Sequence, residues 1–216
     1  MKIKLETVRY IDPKEPMVAL TFDDGPSPVY TPEILKALRE NNAKATFFVL
    51  GTEAELNPDL LKQIAESGNE TGNHTYSHLD LTKLVEPALD YQVLTTQEII
   101  RRETGQAPIL LRPPYGSVND AVKKFDMPII LWSIDSLDWQ NKNPDVIYNR
   151  VLNNIKNGDI ILMHDIYKTS AEAASRIIPE LKRRGYQLVT VSELARARGI
   201  PLKPGNVYGN LYPLQP

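Results

Sequence analysis

The sequence predicts an α/β fold, namely a distorted, incomplete (β/α) barrel of about seven parallel strands. Short apolar runs rich in β-branched and aromatic residues alternate along the chain with segments of helical periodicity. The 216 residues, of which 42% are hydrophobic, are enough for one large core but few for two ordinary domains. We therefore expect one domain over residues 1–216, with more strands than a small open sheet and fewer than the eight of a complete barrel.

The individual elements follow from the same pattern. In chain order, the predicted strands are VALTF, TFFVL, a short strand near GNETGNH, LLR, PIILW, DIILM and QLVTV. Helix-like segments such as TPEILKALREN separate them, and helix stop signals occur at Asn41-Asn42, Ser67-Gly68 and Gly185. The last stretch, over about residues 200–216, is rich in proline and glycine and has no period. It predicts a tail that packs over one end of the barrel or is partly mobile.

Composition limits both the partners and the chemistry. The formal net charge is −2 and no long lysine or arginine run occurs, so we expect no nucleic-acid partner and no membrane-surface helix. An uncharged polymer is the expected partner. No apolar stretch approaches the roughly 20 residues that span a bilayer, and the amino-terminal residues lack the apolar core of a signal peptide. Cysteine is absent, which excludes disulfides and thiolate chemistry, so any metal ligand is His, Asp or Glu.

Side chains that can carry chemistry follow the predicted strands. In a parallel βα fold the carboxyl ends of the strands meet at one rim, where the loops converge. Candidates lie at the ends of the first, third, fourth, fifth and sixth strands. They are Asp23, Asp24, His74, His78, Arg112, Asp135, Asp138 and His164. We therefore expect all of them on the same rim.

The adjacent carboxylates of Asp23 and Asp24 call for a cation, because burying two like charges side by side raises the energy of both. His74 and His78 are four residues apart, and in a helical turn both imidazoles would face the same way, as two metal ligands require. One carboxylate and two imidazoles suit zinc, with open positions for water and substrate. The sequence therefore predicts a divalent metal site.

Two alternatives to a metal-dependent hydrolase are open at this point. The same ligand set suits non-haem iron in oxygenases, but those enzymes usually have strand-rich double-sheet folds, and dioxygen chemistry would leave the second aspartate and His164 without a role. A hydrolase uses both groups. The other alternative is a carbohydrate-binding protein that has lost catalysis, which would not need Asp23, His164 and Asp138 together.

Five motifs carry a family resemblance. TFDDGP, HTYSH, RPPYG, DSLDW and LMHD stand in the order and approximate spacing of the polysaccharide deacetylase family, carbohydrate esterase family four. The resemblance runs from about Val18 to Leu194, and all five motifs are intact. Within the family the chain resembles bacterial enzymes that act on N-acetylglucosamine in peptidoglycan or chitin oligomers, with acetylxylan esterases close behind. The resemblance implies a location outside the cell or at the cell wall, and the lack of a signal-peptide pattern leaves a cytoplasmic location open as the alternative.

The resemblance also implies a role for each residue on the metal side of the site. Asp24, His74 and His78 would hold the metal, with zinc in first place and cobalt or nickel as alternatives. Asp23 would act as general base, removing a proton from the attacking water. The backbone N–H of Tyr115 would stabilise the oxyanion, and the two prolines of RPPYG would aim that amide.

The remaining roles concern the leaving group and the substrate. His164 would act as general acid toward the expelled amine, with Asp138 bonded to it to keep it protonated. Arg112 would pair with Asp23 and keep it ionised. Four residues would contact the substrate, and Trp139 and Leu162 would form the apolar pocket for the acetyl methyl. The substrate-binding set is Pro113, Tyr115, Trp139 and Leu162.

Overall fold

Helices and parallel strands alternate in the computed structural model, which describes residues 9–213. The strands are β1 (Met17–Asp23), β2 (Thr46–Val49), β3 (Glu70–Asn73), β4 (Ile129–Ile130), β5 (Ile134–Asp135), β6 (Ile160–His164), β7 (Gln187–Leu188) and β8 (Val207–Tyr208). The α-helices are α1 (Thr31–Glu40), α2 (Gly51–Leu56), α3 (Pro58–Glu66), α4 (Ala88–Thr104), α5 (Asp120–Lys123), α6 (Pro144–Asn154), α7 (Lys168–Arg183) and α8 (Val191–Ala197). Short 3₁₀ turns occur at Leu81–Lys83 and Pro114–Gly116.

The sheet closes into a distorted barrel, as predicted. The strand order is β3-β2-β1-β6-β5, and β7 pairs with the first residues of β1. Leu111 completes the ring, because it bridges Asn73 of β3 on one side and Ile129 of β4 on the other. The segment from β4 to β5 then returns to β6, since Ile134 pairs with Ile161. All of the pairings between these strands are parallel.

The observed strands differ from the predicted ones in several places: PIILW and QLVTV shorten to Ile129–Ile130 and Gln187–Leu188, and β5 was not predicted. The segment LLR is reduced to single bridges at Leu111, because Pro113 and Pro114 follow Arg112 and cannot donate to a ladder. The C-terminal stretch, predicted to pack over one end of the barrel or to be partly mobile, supplies β8, which pairs with β4, and its Leu211 is buried. The expectations about the amino-terminal residues and the chain end fall partly on residues 1–8 and 214–216, outside the described residues.

The core explains why β1 lies at the centre of the sheet. All seven of its residues are buried, as expected for a parallel strand covered on both faces. Its outward side chains, such as Phe22, pack with the apolar stripes of the surrounding helices, and the ring of Phe22 stacks on Phe47 at 5.2 Å. Its other face, with Met17 and Ala19, joins Phe48 in a second cluster. Burial of each large apolar side chain contributes roughly 1.5–3 kcal/mol to the stability of the fold. The barrel is therefore a stable support for the side chains at its rim.

Strand register sets the geometry of the rim. Asp23 at the end of β1 pairs directly with His164 at the end of β6 and with Phe48 of β2. Asn73, which ends β3, pairs with Val49 and immediately precedes His74. The predicted convergence of the strand ends is therefore confirmed. Among residues 9–213, no helix is both long enough and apolar enough to cross a membrane.

Candidate active site

Asp23 and Asp24 both reach the same imidazole, although they are sequence neighbours at a strand end. Asp23 is 2% exposed, and Asp24 leaves the strand in the left-handed region with φ of 74°. This conformation breaks the alternation that would send adjacent side chains to opposite faces. His74 Nε2 lies 3.7 Å from Asp23 Oδ2 and 3.4 Å from Asp24 Oδ1. The two carboxylates therefore share one site.

Asp24, His74 and His78 form a cluster that fits a metal ion. One ligand atom from each residue lies within 4.8 Å of the other two, and His78 Nε2 is 3.5 Å from Asp24 Oδ1. That oxygen is buried and has no hydrogen-bond partner in the described part of the chain. His74 Nδ1 lies 2.6 Å from the carbonyl oxygen of Arg112, which can only accept, so Nδ1 carries the proton. The lone pair of Nε2 is thereby left for the cluster.

The pKa values of the cluster reflect the same contacts. Burial works to raise the pKa of Asp24, but the neighbouring imidazoles of His74, His164 and His78 outweigh burial, so the pKa is lowered. Burial lowers the pKa of His78, against the attraction of Asp24. An ionised carboxylate and a neutral imidazole are the forms that bind a metal.

The loop that carries the two histidines is not helical, so the predicted helical turn is wrong. Thr75 and His78 have φ of 71° and 58°, which no helical turn allows, and the imidazoles converge because of this loop shape. Gln92 of α4 anchors the loop. Its side-chain oxygen accepts from the backbone N–H groups of Tyr76 and Ser77 at 3.1 and 2.9 Å.

Arg112 is fully buried and crosses the barrel to reach Asp23. Its Nη1 donates to Asp23 Oδ1 and to Thr21 Oγ1, both at 2.7 Å. The other nitrogens donate to the carbonyl oxygens of Ile130 and Leu131 at 2.9 Å, and the guanidinium lies 4.1 Å from the ring centroid of Phe48. Burial lowers the pKa of Arg112, and the neighbouring Asp23 opposes that shift. The contacts satisfy a buried cation and fix which oxygen of Asp23 faces the site.

His164 faces the metal cluster from β6, with Asp138 behind it. Its Nδ1 is 2.7 Å from Asp138 Oδ1, and its Nε2 is 4.0 Å from Asp24 Oδ2. Asp138 Oδ2 also accepts from the backbone N–H of His164 and from Ser170 Oγ, at 2.7 and 2.6 Å. Burial works against the charged imidazole, but Asp138 outweighs it and raises the pKa of His164 to about 9.

Tyr115 lies beside His78 at the wall of the site. It has φ of 61° within the 3₁₀ turn that follows Pro113, and its ring contacts that of His78 edge to face at 4.8 Å. Its side chain is largely exposed. The sequence Pro-Pro-Tyr thus presents a backbone segment at the cavity wall in a conformation that few residues adopt without support.

A cavity of about 410 Å³ brings the predicted residues together. Arg112 and Asp138 lie behind its wall, and the other predicted residues line it. Trp132 and Tyr167 also line it and were not predicted, and Asp135 lies there as a rim candidate without an assigned role. The lining residues are Asp23, Asp24, His74, His78, Pro113, Tyr115, Trp132, Asp135, Trp139, Leu162, His164 and Tyr167.

The residues that sequence reasoning missed act through contacts between distant elements. Gln92 and Ser170 lie on helices far along the chain from the loops that they support. Asp135 accepts from the backbone N–H of Leu137 at 2.8 Å and from Trp139 Nε1 at 3.5 Å, which orients the tryptophan toward the cavity. A polar residue at a core-facing helix position was the signal available for Gln92 and Ser170.

Comparison with known proteins agrees with this geometry. A family model described as polysaccharide deacetylase matches residues 10–127, more than half of the chain. The chain belongs to the polysaccharide deacetylase family. It is 46% identical over 198 residues to the peptidoglycan-N-acetylmuramic acid deacetylase PdaC of Bacillus subtilis, covering 91% of this chain and 42% of PdaC.

Two further similarities show the breadth of the family. The chain is 44% identical over 178 residues to the peptidoglycan-N-acetylglucosamine deacetylase PgdA of Listeria monocytogenes, covering 82% of this chain and 38% of PgdA. A family 4 acetyl xylan esterase from Clostridium thermocellum, solved with a cobalt ion, superposes with a TM-score of 0.85 at 31% identity, covering 90% of this chain and 98% of that one. The chain therefore spans about two fifths of the length of PdaC and of PgdA.

Proposed function

We propose that this polysaccharide deacetylase family chain is a metal-dependent hydrolase that removes acetyl groups from N-acetylglucosamine units of peptidoglycan or chitin oligomers. The observation that carries the proposal is the placement of Asp23 and His164 beside the Asp24–His74–His78 cluster in one cavity, Asp23 Oδ2 at 3.7 Å from His74 Nε2 and His164 Nε2 at 4.0 Å from Asp24 Oδ2. The motifs lie between about residues 18 and 194, so we propose a single catalytic domain over residues 1–216. Both PdaC and PgdA are named as peptidoglycan deacetylases, which supports a location outside the cell or at the cell wall.

Asp24, His74 and His78 would hold the metal. One carboxylate and two imidazoles suit zinc, with cobalt or nickel as alternatives. When bound, such an ion supplies Lewis acidity at the position where the acetyl carbonyl is attacked. The unpartnered Asp24 Oδ1 and the proton on His74 Nδ1 support this assignment, because both leave lone pairs directed at the cluster.

Asp23 and His164 would move the protons. Arg112 occupies Asp23 Oδ1, so Oδ2 is the oxygen that accepts a proton from the attacking water. His164 binds Asp138 through Nδ1, so Nε2 carries the proton that passes to the nitrogen of the leaving amine. The raised pKa of His164, about 9, keeps the imidazole protonated at neutral pH.

The cavity wall would orient the acetyl group. The backbone N–H of Tyr115 would donate to the developing oxyanion. Trp139 and Leu162 would surround the acetyl methyl, and Pro113 would hold the wall beside the sugar. An acetyl group offers a small apolar methyl and one strong acceptor, which matches a wall of this composition.

Hydrolysis of O-acetyl groups in acetylated xylan is the second candidate function. The observation that favours it is the fold likeness to the acetyl xylan esterase from Clostridium thermocellum. An alcohol leaves more easily than an amine, so the same groups suffice for it. The oxygenase hypothesis has no such support, because it leaves Asp23 and His164 unused in a chain of a hydrolase family.

One experiment compares these functions. Acetate release is measured on chitin oligomers, peptidoglycan fragments and acetylated xylan with the same preparation, whose metal content is determined in parallel. We expect release from the two amide substrates, its loss on chelation and its return with Zn²⁺. Release from xylan alone would favour the second candidate, and no release from any substrate by zinc-loaded protein would contradict both.

Two variants test whether Asp23 acts as the base rather than as a metal ligand. His78→Ala removes one of three ligands and is expected to empty the metal site, whereas Asp23→Asn is expected to keep the metal and lose activity. Metal content after dialysis separates the two. If Asp23→Asn loses metal as completely as His78→Ala, the assignment of Asp23 as base is wrong.

A further inference from the structure

The turn that carries Asp24 packs directly against Asp165, a residue that the proposed mechanism does not use. Asp165 follows His164 and is 1% exposed. A Cβ atom placed on Gly25 would lie only 2.3 Å from both carboxyl oxygens of Asp165. No side chain fits between the turn and this carboxyl, so Gly25 is held against Asp165 by close packing.

Thr31 ties the same carboxyl to the far end of the turn. The hydroxyl of Thr31, which is fully buried, donates to Asp165 Oδ2. The same hydroxyl accepts from the backbone N–H of Ser27 at 2.8 Å. Asp165 therefore touches the turn at two points, at Gly25 by packing and at Ser27 through Thr31.

The burial of the Asp165 carboxyl lowers the stability of the fold. Asp165 forms no salt bridge with any residue in the range 9–213, and its Oδ1 has no hydrogen-bond partner there. Burial, with smaller contributions from Asp24 and Asp23, raises the pKa of Asp165 to about 7. A buried carboxyl with one unsatisfied oxygen costs free energy that an apolar side chain of the same volume would not. The hydrogen bond that Asp165 accepts from Thr31 is the feature that an apolar residue could not supply.

We propose that Asp165 is a positioning residue whose carboxyl, together with Thr31, braces the turn at residues 24–27 and so holds Asp24 at metal-binding distance from His74 and His78. The inference rests on the proposed function, because it assumes that these three residues bind a metal. Groups behind metal ligands commonly change metal affinity by about 10- to 100-fold when they are removed.

Zinc affinity of purified full-length variants tests the proposal. Zn²⁺ is titrated into chelator-treated protein against a chromophoric chelator, and thermal unfolding of the metal-free protein shows that each variant is folded. Thr31→Val and Asp165→Leu are expected to weaken Zn²⁺ binding by about tenfold or more. Asp165→Asn keeps the shape and an acceptor for Thr31, so we expect it to stay within about threefold of the parent protein.

The chain offers a matched control at the opposite end of the sheet. Thr46 Oγ1 donates to Glu70 Oε2 at 2.9 Å and accepts from the backbone N–H of Val191 at 3.0 Å. Thr46→Val and Glu70→Leu therefore remove equivalent contacts away from the cluster, as matched controls for Thr31→Val and Asp165→Leu, and zinc affinity should be unchanged in both.

The outcomes separate this inference from the proposed function. If the parent protein binds Zn²⁺ and Thr31→Val binds it equally well, the bracing role is wrong and the metal site stands. If Thr46→Val weakens binding as much as Thr31→Val does, the effect is general destabilisation and the inference is also wrong. If the parent protein binds no Zn²⁺, the proposed function itself fails. Should Asp165→Leu not fold, the comparison of Thr31→Val with Thr46→Val decides.

Discussion

At the scale of single residues, Asp23 and Asp24 differ in what occupies their oxygens. Arg112 binds one oxygen of Asp23 at 2.7 Å, whereas Asp24 has a buried oxygen without a partner among the residues described. An oxygen already bound by a guanidinium is a poor metal ligand, and an unpartnered one facing two imidazoles is a good one. The two roles proposed for the pair follow from this difference.

His164→Ala tests the role of a general acid. An amine must be protonated to leave, but an activated phenol need not be, so amide hydrolysis should fall far more than hydrolysis of an aryl acetate ester. We expect about 10²- to 10⁴-fold loss of kcat on chitin oligomers and a much smaller loss on the ester. Equal losses on both substrates would remove the acid role. Metal content is measured on the same samples to exclude loss of the ion.

Asp138→Asn tests what sets the protonation of His164. Asp138 outweighs burial and holds the pKa of His164 at about 9, so removing its charge should lower that pKa toward the ordinary value of about 6.5. The alkaline limb of kcat/KM is then expected to move to lower pH, while the acidic limb shifts much less. Profiles are recorded for both proteins with the same metal loaded, and an alkaline limb that stays in place would contradict the assignment.

The interaction of His164 with Asp138 also makes the stability of the fold depend on pH. Because the pKa of His164 is raised in the folded state, the stabilisation by Asp138 is fully present below the unfolded pKa of about 6.5 and is lost as pH rises through about 9. The difference in unfolding free energy between the parent and Asp138→Asn should therefore shrink over that window.

At the scale of elements, the loop between β3 and α4 depends on a residue that is remote in sequence. Gln92 accepts from two backbone N–H groups of the loop, and its Nε2 donates to Ser77 Oγ at 2.9 Å. The loop also contains residues in left-handed conformations, which cost about 1–3 kcal/mol each and persist only when their surroundings hold them. Gln92 supplies that support for the two histidines.

Gln92→Leu should therefore weaken zinc binding by about tenfold and lower the unfolding free energy by about 1–3 kcal/mol. Asn69→Leu is the matched control, since this buried amide accepts from the backbone N–H of Ala45 at 3.0 Å and donates to the carbonyl oxygen of Ile64 at 3.4 Å, away from the histidine loop. It should lower stability but leave zinc affinity in place. Zinc titration and urea unfolding of both variants measure this, and unchanged zinc affinity in Gln92→Leu would show that the loop holds its shape without the glutamine.

Much of this architecture could be predicted, because it depends on local patterns. Apolar runs and helix stop signals predicted the order of strands and helices, and parallel topology predicted that the motifs meet at one rim. The backbone at the site could not be predicted in the same way. Asp24, Thr75, His78, Tyr115 and Leu137 are non-glycine residues with positive φ. Sequence preference assigns such conformations to glycine, so the helical turn predicted for the histidines was wrong.

At the scale of the whole molecule, Arg112 links the stability of the barrel to the site. It is fully buried and bonds to Asp23 and Thr21 of β1 and to carbonyl oxygens of the chain leaving β4. Removing one partner of a buried ion pair leaves an uncompensated charge. The carboxylate of Asp23, the proposed base, is thus part of the core.

Arg112→Leu is expected to lower the unfolding free energy by about 3–5 kcal/mol, as measured by urea unfolding of metal-free protein. Arg112→Leu combined with Asp23→Leu should recover part of this loss, because no unpaired charge then remains buried. A double variant less stable than Arg112→Leu alone would show that the carboxylate is not the source of the penalty.

The register between β1 and β6 has a consequence for how the fold can diversify. Asp23 and His164 are directly paired residues on adjacent strands, so backbone hydrogen bonds of the sheet set the distance between the proposed base and acid. Tyr115, Trp139 and Tyr167 lie instead in the segments that follow the strands. Substitutions or insertions in those segments can reshape the proposed sugar-binding surface without altering the spacing of Asp23 and His164. On the proposed function, selection can therefore change the polymer that is accepted while the reaction geometry is inherited intact.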